Sequence, residues 1–264
     1  MDLEQVIPKP DLLTARVILA VQPHYDDNDI GAGGTLAALA ASGVEVYYLT
    51  VTNDLVGVID DKLTLQEATR QLRAEQAEAA AAIGVKGQYW LGYPDAGHFD
   101  HFDVRKGIIQ HIRMLRPDFI FTVDPWTPYE AHTDHIRTGM AAAESAILYG
   151  FTRLSTDQEV DVAYQPHEIK GIVFYHSWVP NIYFDITHTR EKKHRALDAY
   201  KAQFAAEDFP MLHMWVEIKE RMHAESCTTP GCTHAESLKV LNPRLLHGVG
   251  EAWKFYADVF AIIE

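Results

Sequence analysis

Short apolar runs alternate with longer amphipathic segments through the first part of the chain. The runs are rich in apolar and β-branched side chains, a pattern typical of strands buried on both faces, and they cover residues 16–21, 44–52, 88–93 and 119–123. A polar loop follows each run, and a segment with helical spacing or strong helix formers follows each loop. Four strand–loop–helix units in succession predict parallel strands joined by right-handed crossovers.

The helical segments carry start and stop signals. We expect a long helix over 64–83, in which Thr64 and Glu67 have the spacing of a capping box and Gly84 ends the helix. Further helices are predicted over 35–41, over 104–115 and up to about residue 149.

The last third of the chain is less regular. Strands are predicted over 171–176 and 182–186, and a helix over 190–205. Residues 206–250 show no clean period, and we expect loops and short helices there, followed by a closing element at 253–262.

These patterns together predict an α/β fold. We expect a Rossmann-like open, mostly parallel sheet with helices on both faces and an irregular C-terminal cap. The length of 264 residues is compatible with one domain, with a core at about 15–205 and a C-terminal elaboration at 206–264.

Polar side chains collect in two of the loops that follow predicted strands. The loop after the first strand supplies His24, Asp26 and Asp27, and the loop after the fourth supplies His132, Asp134 and His135. The carboxyl ends of parallel strands meet at one edge of a sheet, where α/β proteins bind their ligands. An imidazole and two adjacent carboxylates are costly to bury without a positive partner. A divalent metal ion is the simplest candidate for that partner.

A catalytic zinc ion takes three protein ligands and leaves one position open for water. The spacing allows a ligand set of His24, Asp27 and His135. Asp26 then remains as a free carboxylate for general base catalysis. His132 could donate to a developing oxyanion, and Asp134 could fix the orientation of an imidazole.

Each motif also has a purely structural explanation. Acidic residues before a helix often serve as caps, and a His-x-x-His pair often lies on a surface helix face. Both motifs at the carboxyl ends of strands in one sheet are harder to explain in this way. A dinucleotide fingerprint is disfavoured, because its third glycine position is Leu36 and the carboxylates would repel a pyrophosphate.

Composition limits the classes of partner and compartment. The formal charge of −14 disfavours nucleic acid or an anionic membrane as the main partner. No apolar run approaches the ~18 residues of a membrane span, and the N-terminal residues lack the features of a signal peptide. Two cysteines do not make a disulfide framework, so we expect a cytoplasmic protein. Cys227 and Cys232 lie near two histidines, which raises a structural zinc or a disulfide between the two cysteines as alternatives. Their spacing fits no standard zinc finger, and we expect an ordinary surface loop there.

The paired motifs resemble those of the PIG-L/LmbE-type zinc-dependent N-acetylglucosamine de-N-acetylases. The first family motif, His-Pro-Asp-Asp-Glu followed by Gly-x-Gly-Gly, stands here as His-Tyr-Asp-Asp-Asn at 24–28 and Gly-Ala-Gly-Gly at 31–34. The second, His-Pro-Asp-His, stands as His-Thr-Asp-His at 132–135. The similarity covers most of residues 15–205, and residues 124–130 look most similar to the diacetylchitobiose deacetylase branch.

The resemblance implies roles for individual residues of an LmbE-like deacetylase domain. One Zn²⁺ per chain, or another divalent metal, would be held by His24, Asp27 and His135. Asp26 would be the general base and His132 the oxyanion stabiliser or acid. Asp134 would be a further catalytic residue, which fixes the orientation of an imidazole. Sugar contacts are expected from Arg73, Asp95 and Tyr129.

We therefore expect a hydrolase that releases acetate and a free amine from N-acetylglucosamine, diacetylchitobiose or a similar N-acetylated amino sugar. Two alternatives stay open, namely a deacetylase of a thiol or antibiotic glycoside and a non-catalytic metal- or sugar-binding module on the same fold. Tyr200 and Ala202 replace a histidine and a serine that are common in the family near the expected substrate. Family members often form homo-oligomers, so a trimer or hexamer is expected as well.

Overall fold

The computed structural model describes residues 3–256. The strands are β1 (Val17–Gln22), β2 (Glu45–Thr52), β3 (Gly87–Tyr93), β4 (Phe119–Val123), β5 (Gly171–Tyr175), β6 (Ile182–Asp185) and β7 (Ala235–Leu241). They form one sheet in the order β3-β2-β1-β4-β5-β7-β6. The pairs among β1 to β5 are parallel, whereas β7 runs antiparallel to both β5 and β6. The α/β class and the mostly parallel sheet are therefore confirmed.

Helices cover both faces of the sheet. They are α1 (Leu3–Val6), α2 (Asp27–Ala41), α3 (Leu65–Ile83), α4 (His101–Leu115), α5 (Thr133–Leu148), α6 (Gln158–Ala163), α7 (Arg190–Leu197) and α8 (Phe209–Ala224). Leu36 of α2, Leu72 of α3 and Ala196 of α7 belong to the apolar core on one face. Ile108 of α4 and Ala142 of α5 belong to the core on the other face. Within residues 3–256, no helix combines the length and apolar character needed to cross a membrane.

Local signals fix the ends of α3 as the sequence predicts. Thr64 accepts from the backbone N–H of Glu67, and the Glu67 carboxylate accepts from the backbone N–H of Thr64, which completes the capping box. Gly84 ends the helix with φ of +96°, a left-handed conformation that favours glycine.

The chain after α7 departs from the predicted helix over 190–205. The helix ends at Leu197, and the next residues form turns. The buried Tyr200 hydroxyl lies 2.9 Å from the carbonyl oxygen of Tyr25, and the Ala202 N–H donates to Glu75 at 2.9 Å. These polar partners at distant positions account for the turn.

The prediction of loops and short helices over 206–250 was wrong for two elements. The 16-residue helix α8 and strand β7 are both regular, and β7 lies inside the sheet between β5 and β6. The sequence pattern did not indicate strand β7, because the strand buries the charged residues Glu236 and Lys239 along with its apolar residues. Exposed apolar residues on α8 obscured its helical period in the same way. Of the closing element predicted at 253–262, a short 3₁₀ helix covers Ala252–Lys254, and the part beyond 256 lies outside the described residues.

The glycines that follow the first motif serve helix packing. A Cβ on Gly31 would overlap the ring of Tyr175, and a Cβ on Gly34 would lie 2.8 Å from side-chain atoms of Ile186. Helix α2 therefore lies closer to Tyr175 and Ile186 than it could with any residue other than glycine at these two positions. This packing explains the glycines without a dinucleotide.

Candidate active site

The two polar motifs lie side by side at the carboxyl edge of the sheet. The first follows β1 and runs into α2, and the second lies at the start of α5, after β4. The strand order runs outward from β1 to β3 on one side and from β4 to β5 on the other, so it reverses between β1 and β4. The two motifs follow these two neighbouring strands, at the position where α/β sheets bind ligands. The fold thus brings the two motifs together at the edge where the sequence predicts them.

Asp27 lies between two imidazoles. Its Oδ2 is 3.2 Å from Nδ1 of His24, and its Oδ1 is 3.3 Å from Nε2 of His135. One ligand atom from each of these three residues lies within 4.8 Å of the others. Two ring nitrogens and a carboxylate so close together could hold one metal ion.

Further carboxylates contact the outer nitrogens of both rings. Nε2 of His24 is 3.3 Å from Oδ1 of Asp95 and 3.7 Å from Oδ2 of Asp134. Nδ1 of His135 is 3.2 Å from Oε2 of Glu130. A carboxylate behind each metal-facing histidine is the arrangement that fixes ring orientation in metal sites.

A second group of donors overlaps the first through His24. It consists of His24, Asp95, His132 and Asp134. Backbone N–H groups donate to carboxylates of both sets at 2.8 Å, namely Val56 to Asp95, Ala96 to Asp134 and His24 to Asp27. The first set differs in that its one carboxylate, Asp27, lies between two imidazole nitrogens, at 3.2 and 3.3 Å.

Asp26 occupies the N-cap position of α2, yet its side chain makes no capping hydrogen bond. It is buried and lines a cavity of about 350 Å³ together with the three proposed ligands. Burial raises the pKa of Asp26 well above its usual value, and the nearby carboxylates of Asp27 and Asp54 raise it further. A carboxylate that caps no helix and faces the cavity is free to accept a proton.

The cavity has a strong excess of carboxylates. Its walls include Asp26, Asp27, Asp54 and Asp95 with His24, His132 and His135, and no lysine or arginine of the described residues. Burial opposes a charge on His24, but contacts with Asp134, Asp27 and Asp95 outweigh it and raise the pKa of that imidazole. The carboxylates favour positive charge here, as a bound cation would supply.

His132 is the N-cap residue of α5 and lines the mouth of the cavity. Its Nδ1 accepts from the backbone N–H of Asp134 at 3.3 Å, which leaves the proton of the neutral ring on Nε2. Burial lowers the pKa of His132, and the neighbouring His24 and His135 lower it further. The ring is thus held neutral, with Nε2 as a hydrogen-bond donor.

The residues expected to contact the sugar lie in different places. Asp95 lines the cavity beside His24. Arg73, on α3, lies over the ring of Trp90 at 4.7 Å and does not line the described cavity. Tyr129 is fully exposed and also lies outside the cavity wall.

Three residues of the site were not predicted, namely the cavity residues Asp54 and Gln203 and the carboxylate of Glu130, which contacts His135. Asp54 accepts from the Tyr25 N–H at 3.0 Å and from Nε2 of Gln203 at 2.7 Å, and both Asp54 and Gln203 line the cavity. Asp54 follows β2, so the rule that polar loops at strand ends form the site would have found it. The contact of Glu130 with His135 depends on the path of a loop and has no such signal.

Cys227 and Cys232 belong to neither of the two metal-binding groups found among residues 3–256. The thiol of Cys232 donates to the carbonyl oxygen of His234 at 3.4 Å. Both cysteines are free and partly buried.

Comparison with known proteins identifies the family. Residues 19–146 match the PIG-L family, described as GlcNAc-PI de-N-acetylase. The chain is 30% identical over 230 residues to the diacetylchitobiose deacetylase of Thermococcus kodakarensis, covering 87% of this chain and 85% of that protein. It is also 30% identical over 176 residues to the mycothiol S-conjugate amidase of Streptomyces coelicolor, covering 58% of this chain and 59% of that protein.

A solved structure agrees with these relatives. The N,N'-diacetylchitobiose deacetylase of Pyrococcus horikoshii, solved with an inhibitor, superimposes with a TM-score of 0.81 at 31% identity. The match covers 89% of this chain and 86% of that one. The chain therefore belongs to the PIG-L family of N-deacetylases.

Proposed function

We propose that the protein removes the acetyl group from an N-acetylated amino sugar of the N-acetylglucosamine or diacetylchitobiose type, with one zinc ion per chain. The observation that carries the proposal is the buried carboxylate of Asp26, which makes no capping hydrogen bond and lies beside the set of His24, Asp27 and His135. The similarity to diacetylchitobiose deacetylase along most of the chain supports the choice of substrate.

The donor set fits zinc better than magnesium or calcium. Two imidazole nitrogens and one carboxylate are typical zinc ligands, whereas magnesium and calcium prefer oxygen alone. When bound, such an ion polarises an amide carbonyl and makes water more acidic. Asp95, Asp134 and Glu130 hold the two ligand imidazoles in orientation from behind.

The remaining chemistry is assigned to side chains of this chain. The Asp26 carboxylate takes the proton from the water that attacks the acetamide carbon. Nε2–H of His132 donates to the amide oxygen as negative charge develops there. Asp26 then passes the proton that it took from water to the departing amine nitrogen as the carbon–nitrogen bond breaks, and acetate and the free amine are released.

A second candidate is a deacetylase or amidase that acts on a thiol glycoside. The similarity to a mycothiol S-conjugate amidase over about 58% of this chain favours it. Both candidates use the same amide-cleaving residues, so substrate comparison distinguishes them. A non-catalytic binding module is disfavoured, because such a module would not need the free carboxylate of Asp26 or the cavity-facing His132.

Replacement of the base tests this function. The Asp26→Asn variant is expected to retain its metal and to lose at least a hundredfold in turnover of the acetamide, because the amide cannot accept the proton. Metal content is measured on the same preparation as activity. Full activity with unchanged metal content would remove Asp26 from this role.

We also propose that the chain forms a homo-oligomer, a trimer or a hexamer. Apolar side chains on α8 are 50–70% exposed at spacings of three and four residues, namely Met211, Met214, Ile218 and Met222. This spacing forms a stripe along one face of the helix, and the stripes of neighbouring copies would cover one another in such an oligomer. Light scattering is expected to show an oligomer for the wild type and for the exposed-surface control Val162→Glu, and a monomer for Ile218→Glu. A monomeric wild type would contradict the proposal.

A further inference from the structure

A second cavity of about 250 Å³ adjoins the catalytic cavity at the same edge of the sheet. Ile30 lines both cavities, so it forms part of the wall between them. The second cavity is enclosed by the start of α2, the end of β5, helix α8 and the start of β7. The two cavities are therefore adjacent, on either side of Ile30.

The acidic residues in the wall of the second cavity are already paired. Nζ of the buried Lys193 is 2.7 Å from Oε1 of Glu236 and 3.3 Å from Oε1 of Glu220. Glu236 also accepts from the N–H of Thr35 at 2.8 Å, and Glu220 contacts Arg190 at 3.2 Å. The two carboxylates are thus compensated by two cations, Lys193 and Arg190.

Lys219 is the positive charge that this network leaves unmatched. It is half-buried in the cavity wall, with its ammonium over the ring of Trp215 at 4.5 Å. Among the residues that the structure describes, no carboxylate forms an ion pair with it. Burial lowers the pKa of Lys219, and the charge on Lys193 lowers it further. An anion in the cavity would stabilise the charged ammonium and so raise the pKa of Lys219 again.

The other polar groups of the wall are neutral donors and acceptors. Burial lowers the pKa of His176 to about 3 and that of His223 to about 4, with the charge on Lys219 as the next cause in both. Nε2 of His223 lies 3.1 Å from Oγ of Ser237. The second cavity therefore offers one unpaired positive charge, Lys219, beside paired charges and neutral polar groups, whereas the catalytic cavity is rich in aspartates.

We propose that the second cavity binds a carboxylate on the part of the substrate beyond the amino sugar, with Lys219 as its counter-ion. A single negative charge matches the single free ammonium, whereas a phosphate monoester would bring nearly two. The proposal rests on the proposed function, because it takes the amino sugar to occupy the catalytic cavity. It specifies the substrate class as an acidic glycoside.

The test uses two probes that differ in one charge. They are the carboxymethyl and carbamoylmethyl glycosides of glucosamine, in both anomers, which carry no acetyl group and so are not consumed. We expect calorimetry to show that the zinc-loaded wild type binds the carboxymethyl probe of one anomer about tenfold more tightly than its carbamoylmethyl partner. Lys219→Met is expected to abolish this preference, and Lys219→Arg to retain it.

Lys254→Met provides a matched control, because Lys254 also lies over a tryptophan, Trp253, at 5.1 Å but does not line the cavity. It should retain the full preference. Equal affinity of the wild type for both probes, binding of neither, or a preference that survives in Lys219→Met would overturn the inference. Acetate release from the neutral methyl N-acetylglucosaminide tests the proposed function separately, so either proposal can fail alone.

Discussion

The Glu130 carboxylate lies 3.2 Å from Nδ1 of His135, on the side of the ring that faces away from Asp27. Glu130 therefore fixes which nitrogen of His135 is available to a metal. Its other oxygen, Oε1, accepts from the backbone N–H of His132 at 2.7 Å. One side chain thus orients the proposed ligand and the proposed oxyanion donor together.

Glu130→Gln is expected to weaken metal affinity by about 10- to 100-fold, because the uncharged amide supports the imidazole less well. The amide oxygen can still accept from the His132 N–H, so the loop should keep its conformation. Competition with a chromophoric chelator measures the affinity. Glu78→Gln, at an exposed position of α3, is the control, and equal affinities of the two variants would contradict the role of Glu130.

Lys193→Met is expected to destabilise the fold by about 3–5 kcal/mol, because it leaves Glu236 and Glu220 buried without their shared cation. Lys170→Met is the matched control, since its ion pair with Asp118 is partly exposed and should contribute less than about 1 kcal/mol. Urea unfolding followed by circular dichroism gives both values. Similar losses in the two variants would show that the buried network is not held by Lys193.

His167 makes stability depend on pH. Burial, with the charge of Arg116, lowers its pKa in the folded state to about 4, whereas an unfolded histidine has a pKa of about 6.5. Between these values the unfolded chain binds more protons, so the free energy of unfolding falls as the pH falls from 6.5 towards 4. The slope for this one group is at most about 1.4 kcal/mol per pH unit.

His167→Gln should therefore lose less stability than the wild type between pH 7 and pH 5, and the comparison cancels groups common to both proteins. Urea unfolding is measured at each pH with a chelator present, so that metal binding does not vary. The exposed His98→Gln is the control and should follow the wild type. A wild-type pH dependence in His167→Gln would exclude this histidine as the cause.

Local signals in the sequence predicted the parts of the fold that depend on local chemistry. Thr64, Glu67 and Gly84 fix the ends of α3 through contacts within a few residues of each other. Strand β7 could not be found in this way, because its charged residues are compensated by distant groups. Lys239 donates to the carbonyl oxygens of Trp253 and Phe255, and Glu236 pairs with Lys193.

The same distinction applies to the active site. Residues that closely follow a strand, such as His24 and Asp27 after β1, could be placed from topology, because the edge of a parallel sheet brings them together. Glu130 follows Tyr129, whose φ of +67° puts a left-handed turn into the loop. A pattern of apolar and polar residues does not encode that turn. The exposed position of Tyr129 was unpredictable for the same reason.

Metal-dependent removal of acetate from an N-acetylated amino sugar is tested most directly by measuring acetate release on protein of known metal content. The substrates are N-acetylglucosamine, diacetylchitobiose and simple N-acetylglucosaminides. We expect about one zinc ion per chain, release that stops when a chelator removes it, and recovery when zinc is restored. Release that persists with no metal bound, or no bound metal and no release from any of these sugars, would contradict the account.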